Sequence, residues 1–241
     1  MKTSIKLVAL FISMMLLSCN ANLNLDNGID GSGNIITESR AITESFDKIS
    51  SSSGVTVIVE QGSPNNIEVE TDDNLMQYVI TKVENGTLIV KIEGNINTMS
   101  SIDVRVRMCS IAGLESSSGS TINSKNTLKG NSITVKTGSG SEIEAVLEYE
   151  KVFCESSSGS NTSVSGKALY LETSSSSGSE INASELAANE IISQASSGSF
   201  SSVKPIIKLK GSASSGSSII YHKTPKTLIK EESSGGSVNS N

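Results

Sequence analysis

A chain of 241 residues with 36% hydrophobic content can bury a core as one large β domain or two small ones, which excludes wholesale disorder. Its formal charge is -6, and removing Lys2 and Lys6 with the leader described below takes it to -8, with Arg40, Arg105 and Arg107 as the only arginines. Nucleic-acid affinity comes largely from cations that displace counterions, so this acidic, arginine-poor chain excludes a nucleic-acid partner.

Residues 1–18 carry Lys2 and Lys6 and then the apolar run Leu7 to Leu17, which is too short to span a bilayer comfortably and reads as a secretory signal. Leu16-Leu17-Ser18-Cys19 looks like a bacterial lipobox, in which cleavage before Cys19 leaves that residue acylated. Several acyl chains anchor stably where one is marginal, so we expect a lipid-anchored protein of the cell envelope, in the outer membrane. Residues 19–34 then read as the lipidated cysteine and a flexible tether of Asn, Asp and Gly; Asp26, Asp30 and Asn34 lack the closing bidentate carboxylate of a calcium loop.

Residues 35–110 read as a small β region. Val55 to Val59, Ile67 to Glu70 and Ile102 to Arg107 alternate as strands. Asn85-Gly86 predicts a type I′ hairpin between Val79-Ile80 and Leu88-Ile89-Val90, and Leu75 to Tyr78 predicts one helical turn. No long helix is indicated after the leader.

From residue 111 a Ser-Gly element recurs at Gly119, Gly140, Gly159, Gly178, Gly198, Gly216 and Gly235, in steps of 21, 19, 19, 20, 18 and 19 residues. Serine belongs to these repeats: 12 lie in residues 1–100 and 37 in residues 101–241. A fixed register of apolar residues distinguishes them from a Gly/Ser linker, and the period fits one coil of a β-solenoid. Seven positions before each glycine stand Ala112, Ile133, Val152, Leu171, Ile191, Leu209 and Leu228; three after it stand Ile122, Ile143, Thr162, Ile181, Ser201, Ile219 and Val238. Strand parity turns both sets inward, together with Ser116, Thr137, Ser156, Ser175, Ala195, Ala213 and the serines flanking each glycine. Coil connections are expected at Asn123 to Asn126, Glu148-Tyr149-Glu150 and Thr224-Pro225-Lys226. The fold class is therefore all-β, with a small β region leading into a single-stranded parallel β-helix of about seven coils. We expect it to be right-handed, since the hexapeptide period of tighter left-handed solenoids is absent.

The residues facing out two before each glycine, Ser157, Ser176, Ser196 and Ser214 among them, form a polar column, with Phe153 and Phe200 the best-placed aromatics; these six residues are the candidate binding face for a glycan or a protein. Catalysis is not expected. His222 is the sole histidine and sits beside Tyr221 without the motif of a strained nucleophile. No cofactor or metal site is indicated, because His and Cys clusters are missing. The competing class is a polysaccharide-acting β-helix enzyme, a lyase or glycoside hydrolase, for which Glu142 and Glu180 share an outward offset but are separated by Asn161. Cys109 and Cys154 have unmatched offsets, and Cys154 reads as a small buried side chain. The final coil ends at Ser237-Val238-Asn239-Ser240-Asn241, where either asparagines blunt the exposed edge or two solenoids pair end to end.

Gly31-Ser32-Gly33-Asn34, Arg40, Phe46-Asp47-Lys48-Ile49, Ser53-Gly54-Val55-Thr56-Val57, Asn74-Leu75 and Gly86-Thr87-Leu88, in this order and followed by Ser-Gly repeats, resemble the head GIN domain family over about residues 31–241. The resemblance implies a head of the kind described for autotransporter adhesins and brings no catalytic residues with it. The chain departs from an autotransporter in that no membrane β-barrel segment follows the head, and a lipid takes the translocator's place.

Overall fold

The computed structural model describes residues 28–97 and 101–241. The readings of the leader and of Cys19 concern residues outside this range. Among the described residues, seventeen strands join in one continuous sheet and the helical content is a single 3-10 turn, Met76–Tyr78. The architecture is the all-β solenoid expected from the repeat.

Strand β1 (Ile35–Ser39) lies antiparallel to β4 (Asn66–Asp72). Between them, β2 (Lys48–Ser51) and β3 (Thr56–Gln61) make the first coil, turning at Ser53-Gly54. The chain then leaves the stack through β4 and the 3-10 turn. It returns by the hairpin of β5 (Val79–Glu84) and β6 (Thr87–Ile92), whose Asn85 and Gly86 have φ of 50° and 75°, as a type I′ turn requires. Strands β6 and β7 (Asp103–Met108) pair in parallel with one edge of β2 and β3, and β8 (Gly113–Ser116) and β9 (Thr121–Ser124) pair in parallel with the other. The coil written first is thus sandwiched between two written later. Beyond β6 and β7, the antiparallel strands β5 and β4 cover that end of the stack.

After β9 the coils follow one another in parallel: β10 (Leu128–Thr137), β11 (Glu142–Ser156), β12 (Asn161–Ser175), β13 (Glu180–Ala195), β14 (Phe200–Ala213), β15 (Ser218–Tyr221), β16 (Thr227–Glu232) and β17 (Ser237–Ser240). One hydrophobic cluster runs from Phe46 to Val238 along the whole stack. Ile133, Val152, Leu171, Ile191 and Leu209 form one buried column, and Ile122, Ile143, Thr162, Ile181, Ser201, Ile219 and Val238 another. Each fully buried aliphatic side chain contributes about 1.5–3 kcal/mol.

The corners explain the Ser-Gly signature. Ser118, Ser139, Ser158, Ser177, Ser197, Ser215 and Ser234 all have positive φ, as do the glycines that follow them. The serine before each glycine is therefore exposed, not inward as parity predicts, because two successive left-handed residues reverse the chain before alternation resumes. Each corner glycine donates its N–H to the carbonyl of the preceding serine in the next corner, from Gly54 to Ser118 O (3.1 Å) through Gly216 to Ser234 O (3.1 Å). Ser53-Gly54 is thus an eighth corner in register with the seven of the repeat.

The serine after each of the first six repeat glycines does point inward. Ser120, Ser141, Ser179, Ser199 and Ser217 each donate a hydroxyl to a backbone carbonyl of the neighbouring coil, at 2.6–2.9 Å, and accept from the N–H three residues before. Buried hydroxyls left unpaired cost about 1–3 kcal/mol, so these bonds fix the register between coils. Ser51 is the exception: its buried hydroxyl has no partner. In the next coil Ser116 bonds Ser120 Oγ at 2.8 Å, whereas the residue after Gly54 is Val55, which offers no hydroxyl.

Two further expectations are corrected. Glu148-Tyr149-Glu150 is a bend within β11, not a loop; the Tyr149 ring is buried and its hydroxyl donates to Ile111 O at 2.8 Å. The described part of the tether is docked: Gly33 N–H donates to Asp72 Oδ1 (2.6 Å), Ser32 Oγ to Asp73 Oδ1 (2.5 Å), and Asn74 Nδ2 to Asp30 O (2.8 Å). In the last described coil Asn239 and Asn241 are exposed, as are Lys230 and Glu232, whose side chains bond across it. Lys230 donates to Val238 O, Glu232 accepts from Val238 N–H at 2.6 Å, and the Lys230 ammonium sits 5.5 Å from the Tyr221 ring centroid. Lys230 and Glu232 hold the sequence positions that are inward in earlier coils, and here they reach across the lumen.

Candidate functional site

Parity turns one strand of each coil so that alternate residues face solvent, and stacking in register converts each outward position into a column with steps of about 4.8 Å. Ser157, Ser176, Ser196 and Ser214 lie in one such column, and their hydroxyls form no hydrogen bond among the described residues. The adjacent column holds Glu115, Lys136, Glu155, Ser174, Gln194, Ser212 and Glu231. Lys136 pairs with Glu155 along this column at 2.8 Å, and Glu231 pairs diagonally with Lys210 of the next column at 3.0 Å. A hydrogen bond from the Ser212 hydroxyl, with Lys210 beside it, holds the Glu231 carboxyl below the usual range.

Two shallow polar clefts lie on this face. One of about 330 Å³ includes Ser157 and Ser176, and one of about 400 Å³ includes Ser196 and Ser214. Phe153 belongs to the same face and meets Tyr170 with ring centroids 6.0 Å apart at 57°. Burial, with the neighbouring Glu172 carboxylate, pushes the Tyr170 hydroxyl up to about 12, so it remains a donor to Glu172 at 2.8 Å. Phe200 does not join them. It lies beyond the Ser197-Gly198 corner, in the column of Glu142, Asn161 and Glu180, because the turn rotates the chain onto the next side of the coil.

Glu142, Asn161 and Glu180 are in strict register, so the two carboxylates sit two coils apart with Asn161 Nδ2 donating to Glu142 at 3.3 Å. His222 is exposed and its Nε2 lies 2.8 Å from the Ser202 hydroxyl. Cys109 and Cys154 are free thiols; burial pushes the Cys154 thiol up to about 12, which keeps it protonated.

A second concavity was not legible in the sequence. At the bend where Tyr149 packs, a groove of about 720 Å³ is lined by Tyr149, Ala168, Leu169, Ala187 and Ile206, with Lys129, Glu148, Glu150 and Lys167 on its rim. Glu148 accepts ion pairs from Lys167 (2.8 Å) and Lys129 (3.2 Å), which together hold its carboxyl below the usual range.

A family model described as "Putative auto-transporter adhesin, head GIN domain" matches residues 45–225, three quarters of the chain. No match was found among curated proteins. Among solved structures, a "putative adhesin" from Bacteroides fragilis superposes with a TM-score of 0.83 at 16% identity, covering 89% of this chain and 100% of that one. A "putative adhesin" from Parabacteroides merdae gives 0.72 at 20% identity, covering 89% and 99%. A "Putative lipid binding protein" from Parabacteroides distasonis gives 0.72 at 18% identity, covering 88% and 99%. At these identities the likeness concerns the fold.

Proposed function

The chain belongs to the head GIN domain family, and from that premise we propose that it is a non-catalytic adhesive head, carried on the cell envelope by a lipid on Cys19, whose serine face receives a polyhydroxylated glycan. The observation that carries this reading is the column of unbonded hydroxyls at Ser157, Ser176, Ser196 and Ser214, repeated at the coil spacing on the face that also carries Phe153. A polymer presenting hydroxyls at intervals meets several such donors and acceptors at once, and weak individual bonds add through effective concentration. Aromatic edges supply an apolar surface for a sugar ring.

The test is binding of the chain to an array of bacterial and host glycans, against a Ser176→Lys, Ser196→Lys variant. Both positions face outward, so the variant should fold. Glycan binding that it abolishes supports the face; unchanged binding, or no glycan bound by the parent, refutes it. For the anchor, Cys19→Ala should move the protein from the membrane pellet to the soluble fraction, and a variant that still sediments with membranes contradicts lipid attachment at Cys19.

A second reading is favoured by the apolar groove at Tyr149 and Leu169. A structural relative bears the name of a lipid-binding protein, and a lipid is the ligand class that such a groove suits, since burial of apolar surface drives its capture.

A further inference from the structure

The groove exists because one inward column changes size abruptly. In register down the stack, this column reads Gly130, Tyr149, Ala168, Ala188 and Pro205. The Tyr149 ring lies over Gly130, where a Cβ would come within 2.6 Å of the ring, and its hydroxyl is tied to Ile111 O. Below the ring the small Ala168 leaves the bend unfilled, and the groove opens there between the strand edges of Lys167 and Leu169. Its lower half is walled by Ala187, Ile206 and Leu169, the last 56% exposed. An exposed leucine at the mouth of an apolar groove is surface that a ligand could remove from water.

The upper half is charged, and its charges are not balanced side to side. On one side two ammonium groups, Lys129 and Lys167, share the single carboxylate of Glu148, which leaves one positive charge in excess. On the other side of Tyr149, the Glu150 carboxylate has no partner among the described residues. We infer that the groove binds one zwitterionic phospholipid, with an acyl chain along Ala168, Ala187, Leu169 and Ile206, the phosphate on Lys129 and Lys167, and the ammonium on Glu150. This rests on the lipid reading above and adds the headgroup. A fatty acid or a phosphatidic acid would satisfy the lysines but face Glu150 unpaired; a cationic amphipath would oppose the lysines. Only a headgroup with both charges meets both sides. The volume, about 720 Å³, falls within the roughly 300–1,000 Å³ typical of ligand sites.

The test uses the full chain carrying Cys19→Ala, titrated calorimetrically with monomeric dihexanoyl phosphatidylcholine and dihexanoyl phosphatidic acid. The expected result is saturable binding of one phosphatidylcholine, with phosphatidic acid weaker by about two- to fivefold, the scale of an exposed ion pair. Glu150→Gln should erase that preference. Leu169→Asp should weaken both ligands by about tenfold or more, since it sets a charge against the chain. Equal or reversed ranking in the parent, or a preference that survives Glu150→Gln, overturns the headgroup assignment while the lipid reading stands. Affinities unchanged by Leu169→Asp overturn the groove as the site. Binding to phosphatidylcholine vesicles but not to the monomers replaces the single-lipid site by a membrane surface, and no binding to any of these probes removes the lipid reading itself.

Discussion

Ser51 and Ser116 stand opposite each other in adjacent coils, both buried at 0% and 1% exposure, and should respond with opposite sign to the same substitution. Ser116 Oγ bonds both the backbone carbonyl (2.9 Å) and the hydroxyl (2.8 Å) of Ser120. Ser116→Ala removes those bonds, at a net cost of about 0.5–1.5 kcal/mol. Ser51 Oγ has no partner, because Val55 occupies the place that Ser120 holds in the next coil. Its hydroxyl bears a desolvation penalty without return, and Ser51→Ala should relieve about 1 kcal/mol, the low end for an unsatisfied buried group. The backbone carbonyl of Ser51, which accepts from Ser117 N–H and Ser120 Oγ, is unaffected by either change. For a domain of this size 1 kcal/mol moves the melting temperature by about 2–4 °C, so Ser51→Ala should melt higher than the parent and Ser116→Ala lower. Differential scanning calorimetry of the three proteins decides it. If Ser51→Ala lowers the melting temperature as far as Ser116→Ala does, the hydroxyl at 51 is bonded in solution and the reasoning from the missing serine at 55 is wrong.

Ile181→Asp should be far more damaging than Glu180→Lys, because Ile181 is fully buried between Thr162 and Ser201 while Glu180 is exposed; a buried unpaired charge costs several kcal/mol, and equal melting temperatures would reject the inward assignment. Glu232→Ala should raise amide exchange at Val238 and its neighbours without changing exchange in β11 to β13, since it removes the acceptor that closes the last coil; uniform exchange across the stack would contradict a local cap. A thiol reagent should label Cys109 quickly and Cys154 only after unfolding, because Cys154 is buried and stays protonated; rapid labelling of both would show that the interior opens. The carboxyls of Glu60, Glu70, Glu84, Glu93, Glu148 and Glu231 are all held low, chiefly by hydrogen bonds from lysine, arginine or serine partners. Their stabilisation is full above the ordinary glutamate value of about 4.3 and is lost as pH falls through their lower folded values. Melting temperature should therefore drop below about pH 4, and a flat profile down to pH 3 would count against these pairs.

The repeat made most of the solenoid legible, because a fixed offset from glycine is enough to assign the buried columns through Ile143, Ile181 and Leu209. What parity could not supply was geometry at places where alternation breaks. The serine before each glycine faces out because the corner places it in the left-handed region, which a count of two per repeat does not encode. Ser53-Gly54 escaped as a corner because a long excursion separates it from Ser118-Gly119, so the period is broken although the stacking is not. Lys230 and Glu232 sit at positions that are inward in earlier coils, and their exposure in this coil explains why charges are tolerated there. On the candidate face, parity brings Ser157, Ser176, Ser196, Ser214 and Phe153 together, but it misplaces Phe200 because a corner intervenes. The groove at Tyr149 follows from side-chain sizes at a bend and carries no motif.

The placement of β2 and β3 between strands that come later sets an order of assembly. Successive coils of the repeat join residues about one period apart, as Thr137 joins Ser156, 19 positions on. Ser51 meets Ser116 across 65 positions. Closing the longer loop costs about 1 kcal/mol more in chain entropy by the logarithmic rule, and it is repaid only as β8 and β9 pair with β2 and β3 and Gly54 reaches Ser118 O. The repeats can zip from one another, whereas the amino-terminal coil needs a template already built by sequence that emerges after it. A chain that emerges amino terminus first therefore holds its first coil unfinished until β8 and β9 have followed it.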